Sequence, residues 1–306
     1  MAERVLITGG AGTLGQALTP LLLREGYGVR LVDVEHPNQP PGGAEIVQGD
    51  LRDPEAVDRA VHGVGAIVHA AAWHGVHLRE HPAEDFWDLN VLGTRHVYEA
   101  AVEHGIKRVV FSSTMGVYGE SRRPEADGPA VRIHEDLPRC PGEIYGLSKV
   151  LGEELAAYHE RAHGIRGVAL RYGMFVPEPF GHYGIRMLYG GVDERDVAAA
   201  VLASLRRLER EEGSFAAYNI ESALPFDEDD GQALRDDPVA AIRRHWPDAP
   251  SLLEAADLKP WGPINEVFDI AKAGDELDWR PRYNFDQFLE ALRRGIGTAD
   301  EMPAAD

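Results

Sequence analysis

The stretch from Arg4 to Gly15 reads RVLITGGAGTLG and decides the fold. Residues 4–8 form a short apolar, β-branched run that is typical of a buried strand and stops at glycine. Leucines at positions 14, 18, 21 and 22 follow at helical spacing, and Gly26 ends the predicted helix. A glycine-rich turn between a strand and a helix lets backbone N–H groups and the helix N-terminus meet a pyrophosphate. The motif predicts a nucleotide site at Gly9, Gly12, Thr13, Leu14 and Gly15.

The remainder of the first half repeats this alternation of strand and helix. Short apolar runs near residues 29–33, 45–47, 66–69, 108–111 and 168–171 alternate with helical patterns. Such alternation predicts an α/β fold, in which a doubly wound parallel sheet of the Rossmann type is covered by helices on both faces. We expect residues 1–171 to form the Rossmann core. Residues 172–306 are expected to form a small substrate-binding portion, with 192–220 returning to the core.

Composition and charge exclude several classes of protein. The 306 residues carry 31 Lys and Arg against 51 Asp and Glu, a formal charge of −20, which disfavours binding to nucleic acid or to an anionic membrane. Cys140 is the single cysteine, so the chain has no disulfide framework. No apolar run approaches the length that spans a bilayer, and the N-terminal residues lack the pattern of a signal peptide. We therefore expect a cytoplasmic protein.

Acidic residues follow the second and third predicted strands. Asp33 closes the second strand, where a carboxylate can accept hydrogen bonds from both ribose hydroxyls of an adenosine. It would repel a 2′-phosphate, and no Arg or Lys lies between residues 31 and 51, so NAD is favoured over NADP. Asp50 and Leu51 follow the third strand, where an adenine amino group is expected. A capping role for Asp50 remains the alternative.

A tyrosine and a lysine lie four residues apart in YGLSK, residues 145–149. On a helix this spacing puts both side chains on one face. The Lys149 ammonium can then hydrogen-bond a ribose and lower the pKa of the phenol, so Tyr145 can act as general acid or base. The earlier run Ser112-Ser113-Thr114 offers a hydroxyl that can stabilise a developing alkoxide.

With these elements in order, the sequence resembles the extended short-chain dehydrogenase/reductases of the NAD-dependent epimerase/dehydratase family. The resemblance covers nearly the whole chain through TGGAGTLG, HAAA (69–72), NVLGT, FSSTMGVYG (111–119), YGLSK and LDWRPRYNF. It implies an oxidoreductase of carbohydrate metabolism with bound NAD, and a homodimer that pairs the helices carrying Asn90 and Tyr145. It adds cofactor contacts at Ala70, Ala71, Ala72, Asn90, Ser112, Tyr145, Lys149 and Tyr172.

The family leaves the catalytic hydroxyl open between two residues. Alignment to nucleotide-sugar epimerases gives the role to Thr114, and alignment to uronate dehydrogenases gives it to Ser113. The catalytic set implied by the resemblance is therefore Tyr145 and Lys149 with Thr114 or Ser113.

The segment after Arg171 narrows the substrate. Only about 25 residues separate Arg171 from Asp196, which leaves little room to hold a nucleoside diphosphate. Arg186 matches the arginine that holds the sugar carboxylate in uronate dehydrogenases, and a guanidinium pairs with a carboxylate through two parallel hydrogen bonds. Met115 and Met174 depart from the polar residues of those enzymes.

Histidines at positions 74, 77 and 81 follow the fourth predicted strand. In this family the loop borders the nicotinamide and the substrate, so His74 is a predicted substrate contact. Hydride chemistry with a Tyr/Lys pair needs no metal, and none is expected here.

Three functions remain open at this point. The first is an NAD-dependent dehydrogenase acting on a carbinol of a compact sugar or of a uronate-like sugar acid. The second is a nucleotide-sugar epimerase or dehydratase that recycles its NAD. The third is a non-catalytic NAD-sensing protein, which the retained Tyr145 disfavours.

Overall fold

A seven-stranded sheet forms the centre of the fold in the computed structural model, which describes residues 3–36, 42–210 and 214–305. The strand order is β3-β2-β1-β4-β5-β7-β8. The bounds of these strands are β1 Arg4–Thr8, β2 Gly28–Asp33, β3 Glu45–Gln48, β4 Ala66–His69, β5 Arg108–Thr114, β7 Arg166–Tyr172 and β8 Ala216–Ile220. The pairings β1–β2, β1–β4, β2–β3 and β4–β5 are all parallel. The predicted doubly wound α/β fold is confirmed.

The strand order places the nucleotide motif at a particular crevice. After β3 the chain crosses back and adds β4 on the other side of β1. The connections on the two sides of β1 therefore leave in opposite directions, which opens a crevice at the carboxyl end of that strand. Ligands of parallel α/β sheets bind in such crevices. The first strand is buried from Val5 to Thr8, which explains why its sequence is almost entirely apolar.

The chain divides into two compact units. The first contains residues 1–119, 139–171 and 197–218, and the second contains 120–138, 172–196 and 219–306. This division differs from the sequence-based boundaries chiefly in residues 120–138. These group with the second unit because strand β6, Val131–Ile133, pairs in parallel with β9, Glu266–Phe268.

Helices of the first unit carry the candidate site. Their bounds are α1 Thr13–Arg24, α2 Pro54–Val61, α3 Ala83–Phe86, α4 Thr94–Glu103 and α5 Ile144–His163. Residues Trp87–Gly93 form a π-helical segment between α3 and α4, and such segments often occur at functional positions. Helix α7, Glu194–Glu209, belongs to the first unit from Val197 onward.

The second unit has its own apolar core, built mostly from short helices. Their bounds are α6 Phe180–Arg186, α8 Gly231–Asp236, α9 Pro238–His245, α10 Ala249–Ala255, α11 Ala271–Leu277 and α12 Phe285–Arg293. Phe285 and Phe288 of α12 are fully buried and pack with Trp246. None of the helices among residues 3–36, 42–210 and 214–305 combines the length and apolarity needed to cross a bilayer.

Candidate cofactor and active site

A cavity of about 410 Å³ in the first unit brings together residues that follow β1, β2, β3 and β4. Among the residues predicted for the cofactor, its lining includes Gly9, Gly12, Thr13, Asp33, Asp50, Leu51, Ala70, Ala71 and Ala72. Leu14 and Gly15 do not line the cavity and are buried in the first turn of α1. The side chains therefore converge from loops that are far apart in the sequence.

Two of the three motif glycines are required by close backbone packing. Gly9 has a positive φ of 71°, and a Cβ on it would lie 2.9 Å from the backbone of Ala71. A Cβ on Gly15 would lie 2.4 Å from the carbonyl oxygen of Gly10. Gly12 is the N-cap of α1, and no side chain caps the helix there. The first N–H groups of α1 can therefore donate to an anion in the cavity.

Asp33 lies at the end of β2 and holds the neighbouring turns. Its Oδ2 accepts the Ala11 N–H at 2.9 Å, and its Oδ1 accepts the Glu35 N–H at 3.1 Å. Each carboxylate oxygen can accept a further hydrogen bond, so a ribose hydroxyl can still be bound. The carboxylate lines the cavity, as the sequence predicts.

Asp50 lines the cavity and is paired with a neighbouring cation, and its contact with the adenine stays a prediction. Both of its carboxylate oxygens bind the guanidinium of Arg52, at 2.6–3.0 Å. The hydrogen bonds and charge of Arg52 lower the pKa of Asp50. The N-cap of α2 is Asp53, which accepts the Glu55 N–H, so the capping alternative for Asp50 is wrong. Arg52 also lines the cavity. It lies one residue beyond the interval 31–51, in which the sequence contains no Arg or Lys.

A chain of hydrogen bonds lies beneath the loop of three alanines. The Thr94 hydroxyl donates to the Asn90 carbonyl at 2.5 Å, so its oxygen accepts from His69 Nε2 at 2.9 Å. His69 Nδ1 then accepts the Thr8 hydroxyl at 2.7 Å, and the Thr8 oxygen accepts the N–H groups of Ala70 and Ala71. This order assigns the proton to Nε2. Burial lowers the pKa of His69 to about 3, so the ring is neutral.

Asn90 braces the active-site loop through hydrogen bonds within the protein, and its contact with the cofactor stays a prediction. Its Oδ1 accepts the Trp73 N–H at 2.8 Å, and its Nδ2 donates to the Trp73 carbonyl and to the Ser148 hydroxyl. Both amide protons are therefore used inside the protein. Asn90 joins the loop after β4 to α5, the helix that carries the Tyr/Lys pair.

Tyr145 and Lys149 lie on one face of α5, as their spacing predicts. The Lys149 Nζ is 5.9 Å from the centre of the Tyr145 ring and donates to the Ser112 carbonyl at 2.8 Å. Burial lowers the pKa of Lys149 to about 7 and raises that of Tyr145 to about 12. The expectation that Lys149 lowers the pKa of the phenol is thus not met, because desolvation outweighs the neighbouring groups. Glu143 raises the phenol pKa further and caps α5 by accepting the N–H groups of Tyr145 and Gly146.

The two candidate hydroxyls at the end of β5 have separate partners. The Thr114 side chain acts on the Tyr145 phenol and lowers its pKa, and its hydroxyl oxygen accepts the Gly116 N–H at 3.1 Å. Ser113 instead donates to the buried carboxylate of Glu153 at 2.6 Å. Glu153 also binds Arg171 through two hydrogen bonds, at 2.9 and 2.8 Å. Burial alone would raise the pKa of Glu153, but the hydrogen bonds and charge of Arg171 lower it.

The sequence analysis did not identify Glu143 or Glu153 as part of this site. Glutamate is not among the preferred N-cap residues, so position 143 gives no local signal. Glu153 occurs four residues after Lys149 and shares its helix face, which is the one indication that the sequence offered. Its pairing with Arg171 of β7 depends on tertiary structure.

The predicted histidine loop borders the tyrosine. The His74 ring lies 6.1 Å from the Tyr145 ring, and the cavity lining includes both His74 and His77. The His74 ring keeps a solvent-exposed face, while surrounding protein atoms and then Lys149 lower its pKa. His77 Nδ1 accepts the His74 N–H, and His81 hydrogen-bonds Asp85. These three histidines are thus engaged within their own loop.

Arg186 ends α6 in the second unit, where it lines a cavity of about 370 Å³. Its guanidinium binds both carboxylate oxygens of Glu178, at 2.5 and 2.9 Å. The sequence analysis assigned no role to Glu178. Tyr172, which was predicted to contact the cofactor, is buried and also belongs to the second unit.

A model of one protein family matches residues 5–184, and its description is the NAD dependent epimerase/dehydratase family. The chain belongs to this family. The match covers strands β1 to β7, the glycine-rich turn and the Tyr/Lys helix described above. The recognition made from sequence motifs is confirmed.

Relatives of this family member include uronate dehydrogenases. The chain is 40% identical over 178 residues to uronate dehydrogenase of Pseudomonas syringae, which covers 58% of this chain and 61% of that protein. It is 35% identical over 204 residues to the uronate dehydrogenase of Agrobacterium fabrum, 67% of this chain and 72% of that one. The chain spans less than two thirds of the length of the Pseudomonas relatives that it matches.

One solved structure, a mutant uronate dehydrogenase from Agrobacterium tumefaciens complexed with NAD, has a similar fold. The TM-score is 0.67 at 26% identity, and the alignment covers 100% of this chain and 92% of that one.

The first unit fits the family's cofactor. The Ser112 Oγ is buried without a hydrogen-bond partner among the described residues, as expected of a group that donates to a bound molecule. The glycine-rich turn precedes α1, and no side chain caps the first N–H groups of that helix. Asp33 supplies the acceptor for a ribose. The glycine-rich turn and Asp33 line one cavity, and Ser112 belongs to β5 of the same unit.

Proposed function

We propose that this protein is an NAD-dependent dehydrogenase that oxidises a carbinol of a compact sugar or sugar acid. The observation that carries the proposal is the placement of Tyr145 and Lys149 on one face of α5, with the Thr114 side chain acting on the phenol. A hydroxyl beside a phenol can bind the same substrate oxygen while the phenol exchanges a proton with it. The uronate dehydrogenases among the relatives support the same chemistry.

The residues of the first unit would hold NAD through complementary contacts. The uncapped first N–H groups of α1, beginning at Thr13, would bind the pyrophosphate, and Asp33 would accept the adenosine ribose hydroxyls. Lys149 and the free Ser112 hydroxyl would bind near the nicotinamide. When bound, NAD supplies the ring that accepts a hydride.

The protein's own contribution is to place and move a proton. The Tyr145 Oη takes the carbinol proton, and the Thr114 Oγ1 hydrogen-bonds the oxygen as its negative charge develops. Only the ionised phenol can accept this proton. With the Tyr145 pKa raised to about 12, the ionised fraction and therefore the rate of oxidation should rise with pH across the neutral and alkaline range.

The second unit supports a compact substrate. Between the end of β7 and the start of α7, residues 173–193 contain only the short helix α6 and one 3-10 turn. The adjoining cavity of about 370 Å³ lies at the small end of the range for ligand sites.

The experiment that tests the function is an assay of NADH absorbance with NAD and matched free sugars, uronates and nucleotide sugars. Net NADH from a free sugar or uronate is the expected result. Isomerised or dehydrated nucleotide sugar without net NADH would instead establish an epimerase or dehydratase. NAD binding without any turnover would indicate an NAD sensor.

We also propose that the enzyme is a cytoplasmic homodimer. Trp87 of the π-helical segment, with Leu147 and Tyr158 of α5, exposes apolar surface on the helices that this family pairs. Cys140 is free, which suits a reducing compartment. Light scattering coupled to size exclusion should give twice the 33.6 kDa chain mass, and a monomer would contradict the proposal.

A further inference from the structure

The guanidinium of Arg186 is already bound to a carboxylate of this chain. Its Nε and Nη2 bind the two oxygens of Glu178, which is the bidentate geometry that a sugar carboxylate would use. The Glu178 side chain is only 11% exposed, so the pair is shielded from water and salt on most sides. The Trp261 ring covers a face of the same guanidinium, with the Cζ atom 4.8 Å from the ring centre.

The other charges of this cavity do not attract an anion. Arg195 is the second cation of the lining, and both oxygens of Asp193 bind it at 2.7 Å. Glu194 and Asp300 add two further carboxylates, which take part in no ion pair among the described residues. Two arginines and four acids give the lining a formal charge of −2. Burial raises the pKa of Glu194, and the neighbouring Asp193 and Asp300 raise it further, as expected where carboxylates are crowded.

The family match does not reach this feature. It ends at residue 184, before Arg186, and therefore carries no information on how that arginine is engaged. The binding of an acidic substrate at Arg186 therefore depends on whether its guanidinium is free to pair with the substrate carboxylate.

We propose that Glu178 is a specificity-determining residue that competes with the carboxylate of the substrate for Arg186. A uronate must displace Glu178 or share the guanidinium with it, whereas the matching neutral sugar does neither. Glu178 thereby shifts the preference of the enzyme away from acidic sugars and toward neutral ones. This inference rests on the proposed function, because it concerns the substrate of that reaction.

The test compares matched substrates in matched variants. Glucose and glucuronate, and galactose and galacturonate, differ only in the group at C6, so the ratio of their kcat/KM values isolates the effect of the carboxylate. In Glu178→Gln the ratio of uronate to neutral sugar should rise by about tenfold, the value of one charge-assisted hydrogen bond. The change should appear mainly as a lower KM for the uronate.

Two further variants serve as controls. Glu254→Gln removes the same charge from an exposed residue beside a different cavity of the second unit, and its ratio should match the wild type. In an Arg186→Met background, Glu178→Gln should no longer change the ratio, since the shared target is gone. A ratio that is unchanged or lowered in Glu178→Gln would overturn the proposal. It would show that Glu178 orients Arg186 or only stabilises the fold, and thermal unfolding of each variant separates these two roles.

Calorimetric titration with glucuronate separates this inference from the proposed function. Tighter binding of glucuronate to Glu178→Gln than to the wild type supports the competition even if no sugar yields NADH, in which case only the proposed function fails. Equal binding, or none to either protein, overturns the competition even if NADH forms from neutral sugars.

Discussion

Ser113 donates its hydroxyl proton to the buried carboxylate of Glu153, at 2.6 Å. That carboxylate is also held by Arg171 and Arg139, so Ser113 belongs to an ionic network that connects β5, α5 and β7. The adjacent Thr114 contacts Tyr145 instead. Adjacent residues of one strand thus point to opposite faces of the sheet and serve different purposes. This alternation separates the two hydroxyls that the family resemblance left open.

Removal of the Thr114 hydroxyl should therefore affect mainly turnover, and removal of the Ser113 hydroxyl should affect mainly stability. Thr114→Val should lower kcat by about 10²–10³-fold, because it removes a donor to the developing oxyanion, and should lower the free energy of unfolding by about 1 kcal/mol, because the Gly116 N–H loses its acceptor. Ser113→Ala should cost about 1–3 kcal/mol of stability through the buried carboxylate that loses a donor, with a much smaller effect on kcat. Steady-state kinetics and urea unfolding of both variants measure the two quantities. The reverse pattern would make Ser113 the catalytic hydroxyl.

Removal of the phenol hydroxyl should abolish proton transfer without affecting cofactor binding. Tyr145→Phe should lower kcat by about 10²–10⁴-fold and keep the affinity for NAD, measured by fluorescence titration. The exposed Tyr158 of the same helix offers a matched control, and Tyr158→Phe should retain turnover. In the wild type, the rate of oxidation should increase as the pH rises toward the Tyr145 pKa of about 12. A rate that falls between pH 7 and 9, with the protein still folded, would contradict this assignment.

Asp33 should determine the affinity for the adenosine half of the cofactor. Asp33→Asn should weaken NAD by about 10–100-fold, because hydrogen bonds to a charged acceptor are lost, and should reduce the preference for NAD over NADP. Glu55→Gln, an exposed acid on α2, removes the same charge as a control. Calorimetry with both nucleotides gives the two affinities. Equal NAD affinity in Asp33→Asn and the wild type would exclude the ribose contact.

His69 should make the fold sensitive to acid. The unfolded chain binds a proton at this imidazole near pH 6.5, whereas the folded state does so only near pH 3, where burial has lowered the pKa. Between these values the unfolded state binds more protons, so stability falls with decreasing pH by about 1.4 kcal/mol per pH unit from this group. Urea unfolding at several pH values measures the slope.

A substitution identifies the responsible histidine. His69→Gln should be less stable than the wild type at pH 7 and should show a shallower decline below pH 6. The exposed His62 offers a control, and His62→Gln should keep the wild-type slope. An identical slope in His69→Gln would assign the acid sensitivity to other groups.

Much of the fold could be predicted because its signals are local. The apolar run Val5–Ile7 reflects burial on both faces of a parallel strand, and the glycines at 9 and 15 reflect backbone contacts that exclude a Cβ. The four-residue spacing of Tyr145 and Lys149 fixes one helix face before any tertiary contact forms. The π-helical segment at Trp87–Gly93, by contrast, gives no comparable local signal.

The sequence by itself determined the sheet, the nucleotide motif and the catalytic pair, because strand burial, helix period and glycine geometry act over a few neighbouring residues. Only the tertiary structure decided how distant polar groups pair. It joined Asn90 to Trp73, Ser113 to Glu153 and Arg186 to Glu178. A buried or half-buried charge takes the partner that folding brings within hydrogen-bonding distance, and that partner cannot be identified from either residue alone. The same pairings separate the residues that remain available to a ligand from those that the fold has already engaged.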